Sequence, residues 1–535
     1  MSLLFLSMHL DTQQTSRRIV SAALLVMLFF VLSRVTGLAR EMIISAKFGT
    51  NAALDAYLTA FRIPDLLFQM VAGGALASAF IPTFSAFWNQ SDHAGAWLLF
   101  SRVLNLITLL LVLLAGLAAI FSFPLVQKVI APGYSLPQQE LTAELMRWML
   151  LGTIVFGAGG LIMGALNATQ HFLLPAAAPV IYNIAIILAA WTLTPIVGIY
   201  SLVIGVVVGS LSHLLIQLPG LKQKQMHYHF SWTLRDEHVQ EVARLMGPRV
   251  LGLLFVQLHF LVNTILASRL AEGSLSALNY AWLLMLLPQG IFAQAIGTAV
   301  FPTLSAQVAT NQQDGMRQTL SQALRMVLFL TIPAAVGLYI LRVPFIQILL
   351  ERGEFTSEST QMVAYALQFY ALGLVAHAAV EILVRAFYAL HNTQTPVLIG
   401  IGAMVLNIVL SIWWVRGMSY GGLALANSVA TGLEMLILFW LLYRIMGSLD
   451  GRRLMFAILR ITLAAFVMGI VLWFLRDWFP VYGDGPNSEI LRWIWSLGGL
   501  VVAAVVYLAM SLLLQSEELR PVLAMVTRRI YRTRS

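Results

Sequence analysis

Apolar runs long enough to cross a bilayer recur from one end of the chain to the other, and they decide its fold class. A membrane-spanning helix needs about 20 predominantly apolar residues. Runs of that kind fall near 19–46, 54–88, 97–123, 138–168, 174–194, 197–219, 240–270, 275–308, 316–341, 358–390, 396–415, 420–445, 455–477 and 489–514. In lipid every backbone polar group must be satisfied within the structure, which favours helices for such runs. The expectation is an all-α polytopic membrane protein with about 14 transmembrane helices. Composition agrees: 59% of residues are hydrophobic and 10% charged, against about 25% charged in a soluble domain. The longest polar interruption, near 221–245, is too short for a soluble domain of useful size.

The formal net charge of +9 could point to nucleic acid, but in a membrane protein Lys and Arg collect in cytoplasmic loops. No nucleic-acid partner is expected. With the N-terminus inside, Arg17, Arg18, Arg102, Lys222, Lys224, Arg235, Arg244, Arg317, Arg325, Arg444, Arg452, Arg453, Arg460 and the basic tail fall on inner segments. Fewer fall outside, among them Lys47, Lys128, Arg269, Arg342 and Arg352. Both termini are therefore expected in the cytoplasm. No small-residue cleavage site follows an apolar core before Arg17 and Arg18, which read as an anchor for the first span. There are no cysteines, so no disulfide or thiolate site exists.

The chain repeats itself. "FPLVQKVIAPGY" (123–134) parallels "VPFIQILLERGEF" (343–355), and "IPTFSA" (81–86) parallels "FPTLSA" (301–306), both at an offset of 220. "ALNATQHFLLP" (165–175) parallels "AFYALHNTQTP" (386–396) at 221. One unit holds about six spans, an even number, so the halves have parallel topology. Such repeats accompany alternating-access transport. The expected organisation is an N-terminal six-helix lobe (1–220), a cytoplasmic linker (221–239), a second six-helix lobe (240–446), and two extra helices with a basic tail (447–535).

No nucleotide loop of the G-x-x-x-x-G-K-[ST] type and no H-E-x-x-H helix is present. Neither an enzyme, a cofactor nor a metal site is expected. The unusual feature is charge at membrane depth: Arg34, Arg40, Arg62, Arg147, Arg249 and Arg385. An Arg at mid-helix costs roughly 2.5–3.5 kcal/mol on the insertion scale, so such residues tend to be functional. Arg34 and Arg40 lie about 9 Å apart along one helix and can donate bidentately to phosphate or carboxylate oxygens. Arg40 and Glu41, being adjacent, are not expected to face each other. Asp55 opens the second span, where a carboxylate suits the helix N-terminus. Arg62 and Asp65 are i,i+3 neighbours expected to pair, as are Glu381 and Arg385 at i,i+4. Asn183, Asn263 and Asn407 can serve as interhelical glue. Gly37, Gly73, Gly74 and Gly290 are candidate hinges. The candidate anion-binding residues are Arg34, Arg40, Asp55, Arg62 and Arg249; the bland alternative is that they snorkel or pair to fix the bundle.

"SRVTGLARE", "FGTNAALDAYLTAFRIPDLL" and "GGALASAFIPTFS", followed in order by "GPRVLG", "FPTLS", "ERGEFT" and "AFYALHNTQTP", resemble the MurJ (MviN) family of bacterial lipid II flippases. That family sits in a superfamily with the MATE drug exporters. The resemblance implies two six-helix lobes around a central cavity, with the helices at 455–514 bordering a groove for a polyprenyl tail. It implies lipid II as cargo, membrane lipids as surroundings, a monomer, and the bacterial inner membrane as location. It places the family's cavity arginines on Arg34 and Arg40 and its acidic residue on Asp55. Where the family carries further charges, this chain has Phe68, Gln69, Gly73, Gly74, Leu283 and Leu286. Three readings compete: a flippase for another lipid-linked glycan, a MATE-type exporter using Asp55, Glu381 or Glu434, and a lipid-binding scaffold that does not transport.

Overall fold

The computed structural model describes residues 2–71, 74–447, 450–476 and 488–519, without the side chains of residues 2–24, 74–78, 248–249, 251–256, 476 and 488–496. Among the described residues every regular element is a helix. Each of the expected apolar runs has helix beneath it. By length and composition, nine helices among the described residues are long and apolar enough to cross a membrane. One of these, Gln394–Met446, contains a break at Ser419 (φ 52°, ψ −142°), so it covers two of the expected runs. Large apolar side chains such as Ile120, Ile196 and Leu513 remain more than 70% exposed, as surfaces that meet lipid must be.

The chain divides into two compact units, Met1–Arg269 and Leu270–Ser535. The first comprises α1 (Ser2–Phe48), α2 (Ala52–Ala60), α3 (Arg62–Val71), α4 (Gly74–Asn89), α5 (His93–Ile120), α6 (Leu136–Ala168), α7 (Leu173–Thr192), α8 (Tyr200–Leu215) and α9 (Glu237–Ala267). The helix starts are set by side-chain caps. Asn51 accepts from the Leu54 amide at 2.8 Å, Asp92 from Gly95 at 2.8 Å, and Asp236 from His238 and Val239 at 2.9 and 3.1 Å. Each satisfies amides that the first helical turn leaves orphaned. The run expected at 54–88 is carried by three helical elements, α2 to α4. Helix α6 packs on α2, α4, α5 and α8, and α7 joins α8 to α1. An aromatic core of Phe80, Phe84, Trp97 and Phe100, all under 3% exposed, ties α4 to α5 with ring centroids 5.2–6.3 Å apart. Helix α9 rests on α3 and α4, so packing groups it with the first unit, whereas the repeat begins its second copy there.

The second unit contains α10 (Ser274–Pro288), α11 (Ala295–Ala309), α12 (Gln313–Ile340), α13 (Ser357–Ala389), α14 (Gln394–Met446), α15 (Gly451–Arg476) and α16 (Ser488–Leu513). Helix α13 is its centre, against α10, α12 and α14. Helix α15 lies on α12, and α16 on α15.

The duplication is written in the backbone. Helices α5 and α12 each have 28 residues and start 220 positions apart. Helices α6 and α13 each have 33 residues and start 221 apart. Pro82 in α4 matches Pro302 in α11. Positive φ angles recur in pairs: Ser91 with Asn311, Gln170 with His391, and Gly198 with Ser419. A π-helical turn joins α10 to α11 at Gln289–Gln294, at the positions that match the junction of α3 and α4. Turns of this type concentrate at functional sites.

Candidate functional site

Both candidate arginines of the first span sit on α1, and their environments differ. Arg34 is exposed. Its guanidinium lies over the Phe30 ring at 5.3 Å, one turn back, a cation–π contact. Among the described residues it has no hydrogen-bonded or ionic partner. Arg40 is held. Its Nε and Nη2 donate to Glu41 Oε1 at 3.1 and 2.6 Å, and its Nη1 donates to Asn183 Oδ1 on α7 at 3.0 Å. The expectation that Arg40 and Glu41 do not face each other is therefore corrected. Their Cβ atoms diverge on the helix, but the long arginine side chain folds back far enough to pair. Asn183 is glue, as one reading allowed: its Nδ2 also donates to the Ser33 carbonyl at 3.3 Å and to Thr36 Oγ1 at 3.4 Å.

Asp55 sits in the first turn of α2, 2% exposed. Next to it, Tyr134 of the loop before α6 donates to the Asp55 carbonyl at 3.4 Å and shares a hydrogen bond with Thr59 Oγ1 at 2.9 Å. Burial, and then the Asp55 charge, hold the Tyr134 hydroxyl above its ordinary pKa. Arg62, the first residue of α3, reaches to α9. Its Nε donates to Thr264 Oγ1 at 3.0 Å, and its guanidinium lies 5.6 Å from the Phe260 ring centre. Asp65 stands within electrostatic reach of Arg62 and within hydrogen-bonding reach of Gln69. It also accepts from Gln257 of α9 at 3.2 Å. These cross-helix bonds are invisible in the i,i+3 spacing. Arg249 belongs to α9, and its side chain lies outside the described residues.

The positions that lack the expected charges do other work. Phe68 packs on Phe156 at 4.8 Å, and Phe156 on Tyr182 and His213, so an aromatic cluster fills the space. Gln69 satisfies Asp65. Leu283 and Leu286 are half-buried in α10. Gly74 opens α4, while Gly73 lies outside the described residues. Gly290 falls inside the π-helical turn. Glu381 and Arg385 pair at 2.6 Å, as expected, and Gly297 of α11 leaves the room that the Arg385 side chain fills. Arg147 lines an open hollow with Glu140 and Glu144 and donates to Ser122 Oγ at 2.6 Å.

The family description "Lipid II flippase MurJ" matches residues 44–488. The chain belongs to the MurJ family. A probable lipid II flippase MurJ from Vibrio cholerae is 32% identical over 521 residues, covering 93% of this chain and 97% of that protein. The lipid II flippase MurJ of Burkholderia cenocepacia is 34% identical, covering 77% of this chain and 81% of that protein. Among solved structures, lipid II flippase MurJ in an inward closed conformation superposes with a TM-score of 0.78 at 28% identity, over 91% of this chain and 98% of that one. An inward-facing MATE multidrug transporter of the MOP superfamily follows with a TM-score of 0.67 at 14% identity, over 78% and 96%. At that identity the likeness is one of fold.

Fold likeness alone does not assign function, so the MurJ match must be read together with the side chains. Residues that reasoning from the sequence missed are those that immobilise the charges: Tyr134, Gln257, Phe260 and Thr264. Their partners lie up to 202 positions away, and no local signal marks them.

Proposed function

We propose that this chain is a lipid II flippase, moving the polyprenyl-diphosphate-linked peptidoglycan precursor from the inner to the outer leaflet by alternating access. Membership of the MurJ family over most of the chain supports the cargo. The observation that carries the site is the contrast on α1: Arg34 keeps an exposed guanidinium, while Arg40 is anchored to Glu41 and Asn183. In this reading Arg34 meets the diphosphate with charge-assisted, bidentate hydrogen bonds, and the polyprenyl tail stays in lipid. Arg40 supports α1 against α7 and supplies positive potential rather than direct contacts. Asp55, Arg62 and Arg249 complete the candidate set, Arg62 through its hold on α9. Both termini face the cytoplasm, and the protein acts as a monomer in the bacterial inner membrane.

The MATE-type reading needs carboxylates free to bind cations in the membrane. Glu381 is tied to Arg385, and Asp55 is buried, which leaves Glu434 and weakens that reading. Complementation separates transport from scaffolding. Wild-type protein is expected to restore growth to a flippase-depleted strain. Native mass spectrometry after mild extraction is expected to retain a mass matching lipid II. Growth failure with lipid II still bound would favour the scaffold, and a different retained lipid would favour another lipid-linked glycan.

A further inference from the structure

A second collection of arginines lies away from α1, where α12, α15 and the segment after α16 meet within the second unit. Arg325, Arg452, Arg453 and Arg460 line a hollow of about 340 Å³ with Asp450, Glu517 and Glu518. Arg325 pairs through Nη1 with Glu517 at 2.9 Å and with Glu518 at 3.1 Å. Arg453 reaches Asp450 only at 3.6 Å. Arg460 donates to a neutral partner, the Gln515 carbonyl, at 3.1 Å. Arg452 lies over the Phe456 ring at 5.9 Å. Among the described residues, neither Arg452 nor Arg460 is within salt-bridge distance of a carboxylate. Arg325 therefore satisfies two of the acids, and two guanidinium groups keep donors to spare.

The same helix seam continues as an apolar groove of about 600 Å³, lined by Ile332, Val336 and Tyr339 of α12 and by Phe466, Gly469 and Trp473 of α15. Gly469 lets the helices approach: a Cβ there would stand 3.0 Å from Val336. The lining of the groove runs from Thr462 to Phe474 on α15, about 18 Å of helix, and from Ile332 to Ile340 on α12, about 12 Å. Half of the hydrocarbon core is about 15 Å. A basic hollow at a helix end, followed by an apolar seam of one leaflet's depth, has the layout of a phospholipid. Basic pockets between membrane helices bind anionic headgroups. We infer that this seam is a specific site for an anionic glycerophospholipid, with the phosphate at Arg452, Arg453 and Arg460 and an acyl chain along the groove between α12 and α15.

The test uses full-length protein in zwitterionic nanodiscs, titrated with phosphatidylglycerol or with phosphatidylcholine of the same chains. Wild-type protein is expected to bind phosphatidylglycerol at least fivefold more tightly than phosphatidylcholine. The Arg453→Gln/Arg460→Gln double variant, matched to wild type in thermal unfolding, is expected to lose that preference. A wild-type arm needs no variant: phosphatidylglycerol carrying a headgroup diazirine should label peptides within 450–460 and 515–519. Equal binding of the two lipids, an unchanged preference in the folded double variant, or labelling confined to other peptides would each overturn the site. So would displacement of phosphatidylglycerol by polyprenyl phosphate at equal concentration, which would assign the seam to the cargo chemistry.

Discussion

The turn that leads into the last helix of each repeat carries Gly198 in the first unit (φ 57°, ψ −131°) and Ser419 in the second (φ 52°, ψ −142°). The backbone is the same; the residue is not. The contrast extends to the charges. Arg62 and Asp65 occupy positions whose matches 220 residues on are Trp282 and Met285, and there Trp282 packs on Tyr370 and His377 instead. Duplication has kept the helix lengths, the kinks and the left-handed turns, because these set how six helices pack. Chemistry was free to diverge, and the charged residues proposed to meet the cargo all lie in the first unit. The N-terminal halves of α5 and α12 show both tendencies together. Asn105 and its match Arg325 each hold a following polar segment. In the first unit, Asn105 bonds Ser231 and Tyr228 while Arg102 pairs with Asp236. In the second, Arg325 holds Glu517 and Glu518.

Packing should break the symmetry most strongly. Gly152 and Gly373 occupy matching positions in α6 and α13. A Cβ at Gly373 would stand 2.5 Å from Ser428 Oγ and 2.9 Å from its Cα, whereas at Gly152 the nearest atom is 3.3 Å away. Gly373→Ala is expected to cost about 2–3 kcal/mol, within the range for overpacking, and Gly152→Ala less than about 1 kcal/mol. Thermal unfolding in detergent compares them; equal losses would mean the two crossings are equally tight.

The turns come next. Gly198→Ala should destabilise by about 1–3 kcal/mol, since its φ of 57° strains any L side chain although the space around it is open. Ser419→Gly should raise stability by about 1 kcal/mol by relieving the strained φ. If Ser419→Gly instead destabilises, the Tyr365 hydrogen bond to the Met418 carbonyl at 3.1 Å does not suffice to hold the turn.

A smaller effect is expected from Asn183→Ala, which removes the link from α7 to Arg40. Interhelical hydrogen bonds in membranes average about 0.6 kcal/mol and reach about 1.7. Flipping should fall only mildly, and a loss as large as that from removing Arg34 would promote Arg40 from support to direct contact.

The smallest is a pH effect on the second unit's clasp. The Arg325 hydrogen bond holds the Glu517 carboxyl below its usual pKa. A depressed folded-state pKa stabilises above the unfolded value and loses that contribution as pH falls through the folded one. The 515–519 segment should therefore exchange amide hydrogens faster only below about pH 4. Loosening already at pH 6 would contradict the pairing.

Much of the fold was legible. Apolar run length marked most helices to within a few residues, although α1 begins at Ser2, well before the run expected from 19, and Pro and Gly at constant offsets exposed the duplication. The apolar runs also left a break between 415 and 420, where Ser419 turns the chain. The partition of α2, α3 and α4 was not read, because apolarity runs continuously through it. At the site, residue type and depth singled out Arg34 and Arg40 but could not rank them. What separates them is a bond from Arg40 to Asn183, 143 positions away, and a backward fold of the side chain onto Glu41. Neither leaves a trace in periodicity, which reports Cβ directions and not the reach of a guanidinium.

Purified protein reconstituted in liposomes with fluorescent lipid II tests the central assignment most directly, comparing wild type with Arg34→Ala at matched insertion and thermal stability. Transbilayer movement is expected in the wild type and at least tenfold slower in the variant. No movement in the wild type, or an Arg34→Ala rate equal to it, would contradict the account.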